Sequence, residues 1–385
     1  MTSDPIRDLT DEQARAALPL KWGAVEKGVL PAWVAEMDYR PAAPIEEALV
    51  AAVRRGSLGY APFGSGGLGE AFAGFAERHW DWRVPAEAVL PTSGVMTGVR
   101  LALEALCPPG PVVVPLPCYP PFRDAVAVTG RELVPVTLDA DADEATLDLD
   151  AIEAAFAAGA RTFLLCSPHN PLGRVWTREE LTALADLAGR YDARVVADEI
   201  HAPLVLPGAT FTPYLTLDER AIVVTSASKS FNIPAVHGAQ LVLLDPADRE
   251  VFTRLPIPAQ HDWSSLGVVA GVAAWRDCDD WHAALVERLA AQRDLLADLL
   301  ATHLPHARMR PLEATYLAWL DLRAYAADPA ATALRHGVRL APGADYQPGL
   351  EGHVRLNLAT SAERLRRIVH RVATALTPGA SSLEE

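Results

Sequence analysis

Ser226-Ala227-Ser228-Lys229-Ser230-Phe231-Asn232 follows directly on the apolar run Ala221-Ile222-Val223-Val224-Thr225, so a lysine stands just past the end of what reads as a buried strand. Two hydroxyls precede it, Ser228 by one residue and Ser226 by three. Packing alone gives no reason for that arrangement. An ammonium held at the edge of a core loses hydration and its pKa falls; the neutral amine can then form a Schiff base with an aldehyde such as pyridoxal phosphate (PLP). The neighbouring hydroxyls would hold the phosphate. A solvated turn lysine is the plainer reading of so short a motif, and the choice between them rests on what lies upstream.

Upstream, short apolar runs at 112–115, 132–137, 161–166 and 194–197 alternate with helical patterns, and the alternation continues through 221–225 to 239–244. Phe163-Leu164-Leu165-Cys166, Val195-Val196-Ala197 and Ile222-Val223-Val224 are apolar throughout, as strands covered by helices on both faces must be. This predicts an α/β fold with a large, doubly wound, mostly parallel sheet, whose ligands lie beyond the carboxyl ends of the strands. Those ends are polar: 112–115 leads to Tyr119, 161–166 to Asn170, 194–197 to Asp198 and His201, and 221–225 to Lys229. Singly, these read as a core aromatic, a turn, a helix cap and a satisfied polar contact. On successive strand ends of one sheet they read as a site. Ahead of them, the segment from Val89 to Gly98 passes from a strand through a polar turn into a helix reaching about Leu106, and a helix start of this kind suits a phosphate.

A chain of 385 residues, half of them apolar, has room for a large core and two or three domains. Residues 1–50 read as an N-terminal arm and part of a small domain, 51–280 as the large domain, and 281–385 as a small α+β domain. Trp22 is the large anchor of the arm; Trp33-Val34-Ala35-Glu36-Met37-Asp38 reads as packing, and 264–303 as strongly helical. Strands are expected at 316–320 and 354–358, a helix over 361–376, and a loose tail at 381–385. The net charge of −15 opposes binding to a phosphate backbone. With no signal-peptide pattern and no apolar run able to span a bilayer, the expected location is cytoplasmic. Cys107, Cys118, Cys166 and Cys278 are scattered, which predicts reduced thiols and no metal site.

The motifs together resemble the fold-type I PLP enzymes, the aspartate aminotransferase superfamily, and within it the MalY/PatB group of cystathionine β-lyases, or C–S lyases. The resemblance covers nearly the whole chain and is carried by Trp33 to Asp38, Cys166-Ser167-Pro168-His169-Asn170-Pro171-Leu172-Gly173-Arg174-Val175-Trp176, Asp198-Glu199-Ile200-His201 and the lysine turn. It implies that Lys229 carries the cofactor as a Schiff base and moves protons at the substrate Cα. Asp198 is implied to face the pyridine nitrogen, Asn170 and His201 the ring oxygen, and Tyr119 the ring face. Ser226, Ser228 and the amides of Gly94, Val95 and Met96 would hold the phosphate. Arg355 would clamp the substrate carboxylate, with Trp33 and Tyr60 also at the substrate, and Tyr60 would reach the phosphate of a neighbouring subunit. A homodimer with shared sites is implied.

Two positions depart from that pattern. His237 stands eight residues after Lys229, where many aminotransferases carry an arginine, and Glu36 stands where the lyase group usually has aspartate. The implied reaction is β-elimination from cystathionine or another S-substituted L-cysteine, giving a thiol, pyruvate and ammonia. Transamination on an L-amino acid is the alternative within the superfamily, and a PLP-binding protein that docks a regulator is an alternative of another class. Arg355 lies between Val354 and Leu356, so on an alternating strand it points away from them, towards either a substrate anion or a structural salt bridge.

Overall fold

The computed structural model describes residues 5–61 and 63–377; the expected loose tail at 381–385 lies outside them. In chain order the strands are β1 (Leu30–Ala32), β2 (Val89–Thr92), β3 (Val112–Leu116), β4 (Leu133–Thr137), β5 (Thr162–Cys166), β6 (Arg194–Asp198), β7 (Ile222–Thr225), β8 (Ala239–Val242), β9 (Arg308–Met309), β10 (Leu317–Asp321), β11 (Val338–Pro342) and β12 (His353–Asn357).

Seven of them form a sheet in the order β2-β8-β7-β6-β5-β3-β4, in which β8 alone is reversed and its pairs with β2 and β7 are antiparallel. The doubly wound, mostly parallel sheet expected from the sequence is therefore present. Its central strands are buried on both faces, and alternate residues go to different cores. Val113, Phe163, Leu165, Val195 and Val223 pack into one, while Val112, Val114, Leu164, Val196 and Ile222 pack into the other. A strand with two apolar neighbourhoods cannot show a polar face, which is why these runs read as uninterrupted.

The second sheet has the order β1-β11-β12-β10-β9. β1 pairs with β11 in parallel, so the expected N-terminal arm contributes a strand to the C-terminal sheet; it also contains a short helix, Asp11–Ala17, capped by Thr10. On β12 the residues alternate as the sequence requires. Val354 and Leu356 enter the core, whereas His353, Arg355 and Asn357 reach Asp141, Asn170 and the carbonyls of Val34 and Glu36. The helical stretch 264–303 divides at Cys278 into Ser265–Asp277 and Asp279–His303. Asp279 and Asp280 sit in the first turn of the second helix, where negative charge favours a new N-terminus. No helix among the described residues is long and apolar enough to cross a membrane.

Candidate active site

β5, β6 and β7 end side by side, with Cys166 in register with Asp198 and Asp198 with Val224. The loops beyond them converge on one cavity of about 320 Å³. Asn170 comes from the loop after β5, Asp198 and His201 from the end of β6, and Ser226, Ser228 and Lys229 from the loop after β7. Tyr119 enters from the loop after β3, and Arg355 from β12 of the other sheet. Gly94, Val95 and Met96 line the wall where the helix Val95–Leu101 begins; its helical path continues as a π-turn over Ala102–Leu106.

Lys229 faces the cavity, and its Nζ donates to the carbonyl of Ala35 at 3.1 Å. Loss of hydration, with Arg355 adding to it and Glu36 and Asp198 opposing, pulls its pKa down to about 8. Asp198 is buried, makes no ion pair among the described residues, and accepts from the Ile200 amide at 3.0 Å. Burial pushes its carboxyl up to about 7 against the pull of that amide and of Lys229. Burial, followed by the charges of Lys229 and Arg355, drives His201 down to about 3, so the imidazole is neutral, and its buried Nδ1 has no partner.

Arg355 Nη1 donates to Asn170 Oδ1 at 2.9 Å and Nη2 to the Trp33 carbonyl at 2.8 Å. Both acceptors are neutral. Among the described residues Arg355 forms no ion pair, its Nε is buried without a partner, and the Tyr346 ring lies 5.0 Å from the guanidinium. Among the described residues no structural salt bridge accounts for this arginine. A buried guanidinium oriented by neutral groups keeps its affinity for an incoming carboxylate.

Three expected site residues lie differently from the rest. The Trp33 side chain does not line the cavity: the Arg339 guanidinium stacks on its ring at 3.6 Å and its Nε1 donates to the Lys21 carbonyl, so Trp33 reaches Arg355 only through its backbone. Tyr60 is 101 % exposed and stands clear of the cavity in the single chain. The hydroxyl of Ser226 is committed to the chain itself, donating to the Gly238 carbonyl at 2.6 Å and accepting from the Ser228 amide at 3.0 Å.

The segment 33–38, read from sequence as packing, is a strap across the site. Its carbonyls accept from Lys229 and Tyr316 at Ala35, from Asn357 at Val34 and Glu36, and from Asn232 at Met37. Asn232 also takes the Met37 amide at 2.9 Å. It belongs to the lysine turn, where it adopts a left-handed backbone (φ 56°). Under the strap, Lys21 Nζ pairs with Asp38 at 2.9 Å and donates to the Glu36 carbonyl, while Arg364 holds the other oxygen of Asp38 at 3.2 Å.

Comparison with known proteins agrees with this geometry. The family model for aminotransferase class I and II matches residues 23–372. The chain belongs to that family. Among its relatives, the putative cystathionine β-lyase of Mycobacterium leprae is 39% identical, with 98% of this chain and 99% of the relative covered. The cystathionine β-lyase of Corynebacterium glutamicum is 35% identical over 95% of this chain and 98% of its own. The crystal structure of a putative PLP-dependent β-cystathionase from Corynebacterium diphtheriae superposes with a TM-score of 0.91 at 35% identity, covering 96% of this chain and 99% of that one. The resemblance drawn from the lysine turn is borne out, and the chain stands with the cystathionine β-lyase members of the aminotransferase class I and II family.

Proposed function

We propose that this protein is a PLP-dependent carbon–sulfur β-lyase, which converts cystathionine or another S-substituted L-cysteine, with water, into a thiol, pyruvate and ammonia. The observation that carries the reading is the meeting in one cavity of a lysine with lowered pKa, a buried carboxyl and an arginine, the last two without an ionic partner among the described residues. The residues fit PLP. Asp198 is costly as a lone buried anion and suits a protonated ring nitrogen, and the orphaned Nδ1 of His201 suits a polar group at the ring edge.

When bound, PLP supplies an aldehyde for imine exchange and a protonated ring that takes up the electron pair of a broken Cα–H bond. Asp198 would keep the proton on the ring nitrogen. Asn170, whose Oδ1 is turned to Arg355, would offer its amide Nδ2 to the ring oxygen, together with His201. Tyr119 would cover the ring face. The amides of Gly94, Val95 and Met96 and the Ser228 hydroxyl would hold the phosphate, and Ser226 shapes the turn that carries Ser228. Arg355 binds the substrate α-carboxylate through its fork, which fixes the Cα–H bond relative to Lys229. Lys229 would hold the cofactor, and its Nζ would take the Cα proton while the thiolate leaves Cβ and is protonated as the free thiol.

The working unit is a homodimer with shared sites. Support comes from Leu58, Tyr60 and Phe63, large side chains that are exposed and that a second subunit would cover. Cytoplasmic location and the domain division at about residues 50 and 280 belong to the same reading. Borohydride treatment of the yellow holoenzyme tests the assignment: the reduced cofactor is expected on Lys229 by peptide mass, and Lys229→Ala is expected to fold but release no thiol. Thiol release by Lys229→Ala at the parent rate would refute it.

A further inference from the structure

Lys229 Nζ and the Tyr316 hydroxyl meet at one oxygen. Each donates to the carbonyl of Ala35 at 3.1 Å, the first from the lysine turn and the second from the residue just ahead of β10. Both distances are long for their kind, an O–H···O bond ordinarily lying at about 2.7–2.8 Å, which fits two donors drawing on one acceptor. Ala35 lines the cavity, whereas Tyr316 is buried and stands outside it.

The strap is held without Tyr316. Asn357 takes the carbonyls of Val34 and Glu36, Asn232 takes both backbone groups of Met37, and Lys21 adds a second bond to Glu36. The residue before Tyr316 is nonetheless strained. Thr315 is β-branched and takes a left-handed backbone (φ 74°), fixed there by its amide on the Leu204 carbonyl at 2.9 Å and by the Leu317 amide on its Oγ1 at 3.1 Å. A conformation so unfavourable for a β-branched residue persists only where the surroundings impose it, and it is found most often beside functional groups.

The Tyr316 hydroxyl keeps its proton, because burial pushes its pKa up by more than the Arg355 charge pulls it down. It is therefore a permanent donor, with the positive end of its O–H dipole on the oxygen that it shares with the lysine nitrogen. A second positive charge is disfavoured there, while the oxygen still has a lone pair for an N–H of the neutral amine. Of the other groups around Nζ, Arg355 from β12 also favours the neutral amine, Glu36 of the strap and Asp198 of β6 oppose it, and His201 is uncharged. Burial keeps the protons on Tyr119 and Cys166, and His237 completes the titratable lining of the cavity.

We propose that Tyr316 is a positioning residue for Lys229: by sharing the Ala35 carbonyl, its hydroxyl holds the free Nζ at the cavity wall and biases it towards the neutral amine that takes the Cα proton.

This inference rests on the lyase reading for what the amine does, and the test separates the two. In the full chain freed of PLP, competitive labelling with acetic anhydride, read by peptide mass, follows the neutral fraction of Lys229 against pH without any turnover. In the holoenzyme, the acid limb of kcat for L-cystathionine follows the same amine during the reaction. Tyr316→Phe keeps the buried ring and is expected to move both curves to higher pH by about one unit, the worth of one hydrogen bond, with KM within about twofold of the parent. Tyr39→Phe is the control, since Tyr39 donates to the Thr360 carbonyl at 2.8 Å, a buried bond of the same kind outside the cavity. Its labelling curve is expected to match the parent's. A Tyr316→Phe labelling curve that coincides with the parent's, or an equal shift in Tyr39→Phe, would overturn the role of Tyr316 whether or not the chain binds PLP. A chain that shows the labelling shift but takes up no PLP would overturn the function alone.

Discussion

At the scale of single residues, the site works through charges left without ionic partners. Arg355 is the clearest, since its partners are the Asn170 amide oxygen and the Trp33 carbonyl. Arg355→Lys is expected to raise KM for an amino-acid substrate by the equivalent of about 2–5 kcal/mol while PLP stays bound, because the point charge cannot replace the fork. Steady-state kinetics together with the PLP spectrum check it, and unchanged KM would remove Arg355 from the substrate. Glu199, next to Asp198 but turned to the Tyr214 amide, carries a different consequence. Burial pushes its carboxyl from 4.5 up to about 8, against the pull of that amide. The folded chain thus keeps a proton that the unfolded chain has lost, so this contribution to stability is complete below about pH 4.5 and is lost as pH rises through about 8. Urea unfolding of the parent protein and Glu199→Gln at about pH 6 and pH 9 should show the parent falling more steeply. Equal slopes would contradict the raised pKa. Tyr119, Asn170, Asp198, His201 and Lys229 were legible because parallel strands deliver their ligands at one end, and each stands just past an apolar run.

At the scale of elements, the strap 33–38 is the part that sequence alone did not disclose. Its partners are remote: Asn232 is 195 residues from Met37, and Arg364 is 326 residues from Asp38. No local period or motif encodes such pairs, and an Asn that satisfies backbone groups looks like any turn Asn. The polar anchor beneath the strap, where Lys21 and Asp38 are both fully buried, replaces the simple aromatic anchoring expected from Trp22, whose Nε1 also donates to Asp38 at 2.7 Å. Asp38→Ala strands Lys21 in the interior and is expected to cost about 3–5 kcal/mol in chemical denaturation. Lys21→Met should cost less, because Arg364 still pairs with Asp38. The reverse order would mean that Asp38 is not the centre of the network. The break at Cys278 was hidden for another reason: apolar spacing continues across it, and the two acidic residues that start the new helix are as common on exposed helix faces.

At the scale of the whole molecule, two sheets from separate parts of the chain must meet for the site to exist. The large sheet brings Lys229 and Asp198, and β12 of the small sheet brings Arg355, with the N-terminal strap between them. Tyr60 stands outside this arrangement, fully exposed, and the dimer proposal gives it a partner site. Mixed dimers of Lys229→Ala and Tyr60→Ala subunits, each inactive alone, are expected to recover activity in roughly a quarter of sites under random pairing. No recovery, or a monomer in sedimentation at working concentration, would contradict shared sites. Elimination at Cβ is decided by incubating the holoenzyme with L-cystathionine without any keto-acid acceptor. Homocysteine and pyruvate in equal amounts are expected; no thiol release, with keto acid from cystathionine formed only when an acceptor is added, would contradict elimination.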